Sequence, residues 1–519
     1  MKNLLFLSFI LIGVSCTILD NQPITRKIHD DIVLAENEKI LNPSQKVTLQ
    51  GYYADGSSVL FDPTWRVTDD NTVIGPMKIV DNKGRARTEK FSMNEVEIDD
   101  IELWRTSRDL KANERAKFGG TFFMIALDLG VGIACLTDPK ACFGSCPTFY
   151  QGDDDYLFKS DAEGFTNAIL PTLEHQDIDA LPEVINPGDE VITMKNEALE
   201  THNINTVKLY TVPVISGTDV HHTPDNKFYR VSKGPTYTAL HNGLPLQGVE
   251  GIDDKEWFTL ANERDMASKT TINLTFPAEQ GKQYGLKLRF RQSLMSTYLF
   301  YGTLENMGGD YGRRMAIMNH SEKQKDWLLE GGIMQFLGGI EVKNSDGALI
   351  GSFEETGPIA HNSQMLPLGL STGELQLELT EGLWRIDHIE IVEVIEEVTP
   401  TILLPLRITK NDIEDAQELE FLLNEEEHLI SLPGEQRKIE FESVETPSHV
   451  FLSSQGFYLE WSRTAWDDPG SPRALRKMLL NPRQYLRDEA AEYKAYESSM
   501  EEKFWNARIQ SPILTSYEK

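Results

Sequence analysis

Basic residues are scarce in this sequence. Its 519 residues include 50 lysines and arginines against 81 aspartates and glutamates, which gives a formal net charge of −31. A surface this acidic repels nucleic acid, and the chain offers no polybasic stretch for anionic lipid headgroups. The acidic residues are spread along the chain rather than gathered into a tail. We therefore expect no nucleic-acid partner.

Long apolar runs, fixed-period repeats and low-complexity tracts are also missing after the first sixteen residues. The nearest candidate for a membrane span, Gly119 to Leu136, contains Asp128 and several glycines. That composition predicts a buried helix or hairpin rather than a segment that crosses a bilayer.

No coherent set of catalytic or metal-binding residues is present. The Gly369–Gly373 segment matches a nucleophile elbow, but it lies between a proline-containing loop and a strand instead of between a strand and a helix. His221 and His222 resemble an exposed loop pair without further ligands, and Asp153–Asp155 lack the glycine and glutamate of a calcium loop. We predict no catalytic residue, no metal site and no cofactor.

The first sixteen residues form an export signal. Lys2 is followed by an apolar stretch from Leu4 to Val14, and Ser15 precedes Cys16. This order is typical of a secretory leader, and a small residue before a cysteine resembles the lipobox of bacterial lipoproteins. The pattern predicts cleavage before Cys16 and acylation of that cysteine, which would anchor the protein stably in a membrane. An ordinary signal peptide with a chance cysteine is the alternative.

The residue after Cys16 helps to predict which membrane holds the protein. In enteric bacteria an aspartate there retains lipoproteins at the inner membrane, whereas this chain has Thr17. We expect a lipid-anchored protein of the outer membrane, on either its periplasmic face or the cell surface.

The remaining chain predicts a mainly β protein of the α+β class. We expect antiparallel sandwich domains because alternation of apolar and polar residues recurs from YGLKLRFR to GLWRIDHIEIVEV. The interruption at Pro482 divides a C-terminal amphipathic helix whose apolar stripe should pack on the chain's own β domain. The predicted segments are a signal peptide at 1–15, a tether at 16–45, a small β module at 46–117, an apolar segment with a cysteine cluster at 118–150, a β domain at 151–250, a β-sandwich-like domain at 251–396, a β segment at 397–465 and the C-terminal helix at 466–519.

The cysteine cluster admits two interpretations. Three cysteines lie outside the lipobox, so one must stay unpaired, and the pair is Cys142–Cys146 or Cys135–Cys142. In an oxidising compartment a disulfide staple is favoured. Because Pro147 follows Cys146, a Cu(I) or thiol-redox site is the functional alternative, although consecutive strands downstream do not suit the thioredoxin-like fold that it would need.

Three blocks of sequence resemble an uncharacterised family of bacterial envelope lipoproteins. SCPTFY at 145–150 matches the family's Ser-Cys-Pro-x-x-Tyr motif, and DYLFKSDAEGF and NAILPTLEHQDIDALPE follow in the same order. The resemblance extends over residues 142–500. It implies β-sandwich-like C-terminal blocks and an envelope location, and no catalytic residues can be carried over from it.

The sequence therefore predicts a membrane-anchored, non-catalytic subunit that interacts with an envelope protein, acts as a scaffold or binds a glycan. Trp384 and Trp461 could stack on sugars, but their strand contexts favour places in the core. A copper-handling or thiol-redox protein and an accessory subunit of an outer-membrane assembly or transport machine are the alternatives.

Overall fold

The computed structural model describes residues 21–25, 46–109 without 69, 88 and 89, 146–152, 160–321 without 199 and 254, 332–460 without 355, 356, 370–372 and 433, and 470–506. The mainly β prediction is confirmed over this part of the chain, with antiparallel sheets and few helices. Within it, no helix is long and apolar enough to cross a membrane.

Strands account for most of the regular structure. The N-terminal ones are β1 (Asn21–Thr25), β2 (Lys46–Tyr52), β3 (Ser58–Phe61), β4 (Arg66–Val67), β5 (Thr72–Val80), β6 (Ser92–Glu97) and β7 (Leu103–Asp109). Those of the middle region are β8 (Thr148–Gln151), β9 (Ala162–Glu163), β10 (His175–Ala180), β11 (Val191–Lys195), β12 (Glu200–Pro213), β13 (Thr218–His222), β14 (Phe228–Lys233), β15 (Thr238–His241), β16 (Leu244–Pro245), β17 (Trp257–Phe258), β18 (Lys269–Thr275), β19 (Tyr284–Gln292), β20 (Ile340–Asn344), β21 (Leu349–Phe353), β22 (Asn362–Pro367), β23 (Glu374–Thr380) and β24 (Trp384–Val398). The C-terminal ones are β25 (Thr401–Leu403), β26 (Pro405–Lys410), β27 (Ile413–Glu414), β28 (Leu429–Ser431), β29 (Gln436–Phe441) and β30 (Ser448–Glu460).

The helices are α1 (Met295–Met307), α2 (Tyr311–His320), α3 (Met334–Leu337), α4 (Ala416–Leu423), α5 (Pro472–Leu480) and α6 (Pro482–Asn506). Short 3-10 turns lie at Ile98–Asp100, Pro171–Leu173 and Gly308–Asp310.

The N-terminal strands form one antiparallel sheet in the order β1-β7-β2-β3-β5-β4, with β6 also paired to β5. Its core contains the buried side chains of Trp65 and Trp104, and the Trp65 indole donates a hydrogen bond to the carbonyl of Val47. Strand β1 lies within the predicted tether at 16–45 and pairs antiparallel with β7.

The second unit is a double sheet built from two distant stretches of chain. One layer has the order β10-β30-β12-β25, with β28 also on β12, and the other has the order β27-β26-β29-β11-β8-β9. Strands β12 and β30 pair along almost their whole length, from Glu200 opposite Glu460 to Pro213 opposite Ser448. The apolar residues of the two layers form one core between them.

The third unit is a β-sandwich inserted between β12 and β25. Its layers have the orders β14-β13-β22-β19-β24-β17 and β16-β15-β18-β23-β20-β21. Phe290 lies at the centre of the core, with its ring 5.5 Å from that of Phe353 and 5.8 Å from that of Trp384. Trp384 is therefore a core residue, as the alternation of its strand predicts, and Trp461 lies outside the described residues.

The C-terminal helices pack on this sandwich through their apolar stripe. Five apolar side chains of the stripe are buried in its core, namely Leu475, Leu486, Ala490, Tyr493 and Met500, whereas Leu479 is exposed. Helix α6 begins at Pro482, where the sequence predicts an interruption. The amphipathic helix of the predicted fold class is thus confirmed, with the chain's own β domain as its partner.

An aromatic cluster joins the double sheet to the sandwich. The ring of Phe228 on β14 meets that of Phe451 on β30 edge to face at 4.9 Å. Beside them, the Asn362 amide on β22 donates to the carbonyl of Ile178 on β10 at 3.1 Å. These contacts fix the two units against each other, which matters because the candidate site lies at their junction.

A buried carboxyl group also joins the two units. Glu163 on β9 accepts hydrogen bonds from the backbone N–H groups of Ile359 at 2.8 Å and Ala360 at 3.4 Å. Burial raises the pKa of Glu163 to about 8, against the opposing effect of these two hydrogen bonds. The folded protein therefore holds this proton at neutral pH.

We expect the free energy of unfolding to fall as the pH rises from about 4.5 to about 8, because the folded state keeps the Glu163 proton that the unfolded chain releases. Glu163→Gln should remove that part of the pH dependence, worth at most about 5 kcal/mol. Urea unfolding at a series of pH values measures it. The exposed Glu374→Gln change serves as control, and a slope in Glu163→Gln equal to the wild-type slope would contradict the assignment.

Candidate functional site: a charged cleft between the sheets

A cleft of about 500 Å³ opens where the double sheet meets the inserted sandwich. Pockets of this size at the junction of structural units are the usual place for ligand sites. The ionisable side chains that line it are Asp161, Glu183, Asp219, His221, Lys287, Arg289, His361 and His449.

Strand alternation brings the charged side chains to the cleft. In β19, Leu286, Leu288 and Phe290 point into the sandwich core, so Lys287 and Arg289 point to the other face of the sheet. Asp219 and His221 share one face of β13 by the same rule. The apolar face of each strand thus fixes the polar face that lines the cleft.

Asp219 is the centre of the charge network. One carboxylate oxygen lies 3.1 Å from the His221 ring and 3.7 Å from the Lys287 ammonium, and the other lies 3.3 Å from the His449 ring. Burial alone would raise the pKa of Asp219, but the hydrogen bond with His221 and the positive charge of Lys287 outweigh it and hold that pKa well below its usual range.

Burial favours the neutral form of the three cleft histidines. Burial lowers the pKa of His221, of His449 and of His361, against the opposing effects of neighbouring carboxylates. A neutral imidazole has one hydrogen-bond donor and one acceptor. One ring nitrogen of each histidine already lies within 3.3 Å of a carboxylate, that of Asp219 for His221 and His449 and that of Glu256 for His361.

A second set of charged contacts holds His361 and Arg289 in the wall of the cleft. Glu256 binds His361 at 2.8 Å and forms an ion pair with the buried Arg291. Burial would raise the pKa of Glu256, but His361 and Arg291 together hold it well below its usual range. Arg289 in turn donates to the buried Asp387. These partners fix the orientation of His361 and Arg289 before any ligand arrives.

Opposite charges nearly balance in the cleft. Three carboxyl groups, Asp161, Glu183 and Asp219, face the cations Lys287 and Arg289. Burial raises the pKa of Asp161, although its oxygen accepts a hydrogen bond from the backbone N–H of Gln151 at 2.7 Å. The described residues of the lining thus offer donors and acceptors in similar number, without a dominant charge.

Apart from His221, the residues singled out from the sequence are not among the described residues that line this cleft. His221 and His222 do not lie in an exposed loop: both are buried at the end of β13, because their strand pairs with β14 and packs against β30. Among the described residues, no group of three or more His, Cys, Asp or Glu side chains could hold a metal ion. Cys16, Cys142 and Asp153–Asp155 lie outside the described residues.

Cys146 is a buried cysteine next to β8. Burial raises the pKa of its thiol well above the usual value, and nearby Glu163 adds to the shift. A thiol in such a place is poorly reactive. Because Cys142 is not described, the predicted Cys142–Cys146 disulfide stays a prediction.

Sequence reasoning missed the cleft because its residues come from distant strands. The alternation of YGLKLRFR does place Lys287 and Arg289 on one polar face, and that signal was available. Nothing local indicates that His449 would reach Asp219, which lies on a different sheet.

Comparison with known proteins gives no further guide to this site. No protein-family model matches the chain, and no curated protein matches it.

We expect Asp219→Asn to lower the free energy of unfolding by about 1–2 kcal/mol, because the buried Lys287 loses one of its two carboxylate partners. The pKa values of His221 and His449 should fall further. Denaturant unfolding and NMR titration of the histidines measure both effects. Asp253→Asn is the control, since Asp253 is 46% exposed against 47% for Asp219 but, among the described residues, pairs only with the exposed Lys255. Equal stability of the two variants would contradict the network.

Proposed function

We propose that this protein is a lipid-anchored, non-catalytic binding subunit of the bacterial envelope and that it binds a neutral saccharide in the charged cleft. The observation that carries the proposal is the near balance of hydrogen-bond donors and acceptors in a cleft of about 500 Å³.

The chemistry of hydroxyl groups supports a saccharide over an ion. Each hydroxyl donates one hydrogen bond and accepts others, so a polyhydroxy ligand uses carboxylates and cationic donors at once. Asp219 and Glu183 would repel a strong anion, and Lys287 and Arg289 would repel a strong cation. Charge-assisted hydrogen bonds to a neutral ligand avoid both repulsions.

Glycoside hydrolysis is the second candidate function, favoured by one observation. Asp161 and Asp219 line the same cleft, and their pKa values shift in opposite directions. Two carboxyl groups with separated pKa values are what an acid and a nucleophile or base require. We place binding first because Asp219 is already held by His221, His449 and Lys287.

The alternatives from the sequence receive less support. The burial of Cys146 and the raised pKa of its thiol do not favour copper or redox chemistry at that residue. The C-terminal helices bury most of their apolar stripe in the chain's own core, which leaves little of it for docking to an outer-membrane machine.

The proposed address rests on Cys16. Strand β1 begins at Asn21, and five residues span at most about 17 Å. An acylated Cys16 would therefore hold the N-terminal sheet close to the membrane surface, at the outer membrane if Thr17 acts as expected.

We expect the full chain to bind neutral oligosaccharides on an array and to bind heparin and polygalacturonate weakly or not at all. Val184→Trp should reduce retention at least tenfold, because Val184 lines the cleft. Val214→Trp is the matched control, since the two valines are 42% and 40% exposed and Val214 lies outside the cleft.

Two outcomes of that experiment count against binding as the function. Equal retention by the two tryptophan variants would show that saccharides do not enter the cleft. Release of new reducing ends from a bound oligosaccharide, abolished in Asp161→Asn, would assign hydrolysis instead.

We expect cells fed radioactive palmitate to label the wild-type protein and to leave Cys16→Ala unlabelled, because the acyl chains would be attached to Cys16. Cys146→Ser is the control and should keep its label, since Cys146 is buried. Label that persists in Cys16→Ala would refute the anchor without bearing on the cleft.

A further inference from the structure

A second cavity, of about 640 Å³, lies among the helices, and Glu163 is one of the residues that line it. Helices α1, α2, α3 and α5 form most of its wall, and five methionines line it, namely Met307, Met315, Met318, Met334 and Met478. Methionine is flexible and polarisable, and surfaces rich in it adapt to apolar ligands of variable shape. The lining therefore suits an extended hydrocarbon.

Exposed apolar side chains also line this cavity. Leu479 and Leu480 at the end of α5 line it and are both exposed to solvent. Large exposed side chains at the edge of an apolar cavity indicate where an apolar ligand can enter.

Among the described residues that line the cavity, Arg314 on α2 is the only basic one. Its guanidinium lies 3.6 Å from Asp310, and Asp310 also pairs with Arg313. The Arg314 Nε is buried and has no hydrogen-bond partner within the described part of the chain. The Arg314 side chain as a whole is 34% exposed and its contact with Asp310 is longer than a hydrogen bond, so a carboxylate in the cavity can form a closer ion pair with the guanidinium.

The acidic residues of the lining are already occupied. Glu163 accepts two backbone hydrogen bonds, and Glu460 accepts one from the Tyr301 hydroxyl. Neither is free to receive a cationic headgroup. Charge complementarity thus favours a ligand with an anionic head at Arg314.

We propose that the methionine-lined cavity binds one long-chain fatty acid, with its hydrocarbon chain among the helices and its carboxylate on Arg314. The volume lies within the range of small-molecule sites. Each buried methylene contributes about 0.8 kcal/mol, so two added carbons should tighten binding by about tenfold until the cavity is full. This inference does not depend on saccharide binding in the cleft.

The test uses the full chain carrying Cys16→Ser, which removes the proposed anchor, and tritiated fatty acids of eight to eighteen carbons in detergent-free buffer. We expect one saturable site, affinity that rises with chain length to a plateau, and at least tenfold weaker palmitate binding in Met318→Trp. Met93→Trp, on the N-terminal sheet and 71% exposed, is the control and should bind as the parent does.

A second variant tests the head of the ligand and keeps the proposal decidable if Met318→Trp does not fold. Arg314→Met should weaken palmitate binding about tenfold and leave the binding of 1-hexadecanol unchanged, and Asp310 keeps Arg313 as its partner. Equal losses for palmitate and 1-hexadecanol would overturn the role of Arg314.

Three further outcomes would overturn the proposed occupant. The first is the absence of saturable palmitate binding. The second is displacement of palmitate by phosphatidylglycerol at equal concentration, which would assign a phospholipid. The third is a dimer that palmitate dissociates, which would assign a second copy of this chain.

Discussion

The pairing of β12 with β30 is the constraint on which the rest of the structure depends. It joins residues 200–213 to residues 448–460 and closes the chain around the inserted sandwich. Because the two strands belong to one sheet, everything between them must leave from and return to that sheet. The junction of double sheet and sandwich, and hence the cleft, follows from this closure. Such long-range pairing also costs loop-closure entropy before its contacts form, which is typical of slowly folding β proteins.

The two cavities show how one architecture yields sites of opposite character. The cleft lies where the outer faces of strands meet, and those faces carry Asp219, Lys287 and Arg289. The methionine-lined cavity lies where the inner stripes of helices meet, and those stripes carry apolar residues. Glu163 lines the second cavity and joins the two β units through its carboxyl group.

Much of the local structure could be predicted from the sequence. The alternation in YGLKLRFR and WRIDHIEI marks β19 and β24. Helix α2 was not predicted, because its short sequence YGRRMAIMNH has only a weak apolar stripe and is stabilised by Tyr311 and Met315 in the shared core. The sequence predicts a loop at His221 and His222 because turn residues lie on both sides of them. In the structure they end a strand of only five residues, which is too short to give a clear alternation.

The sequence by itself determined the β class, the alternating faces of the strands, the division of the C-terminal helix at Pro482 and the strongly acidic surface, because these depend on residues near each other in the chain. Only the tertiary structure decided which strands pair and which polar faces meet. Asp219 and His449 come together because β13 and β30 belong to different sheets that pack at Phe228 and Phe451. Contacts between distant segments leave no local periodicity, and the candidate sites of this protein consist of such contacts.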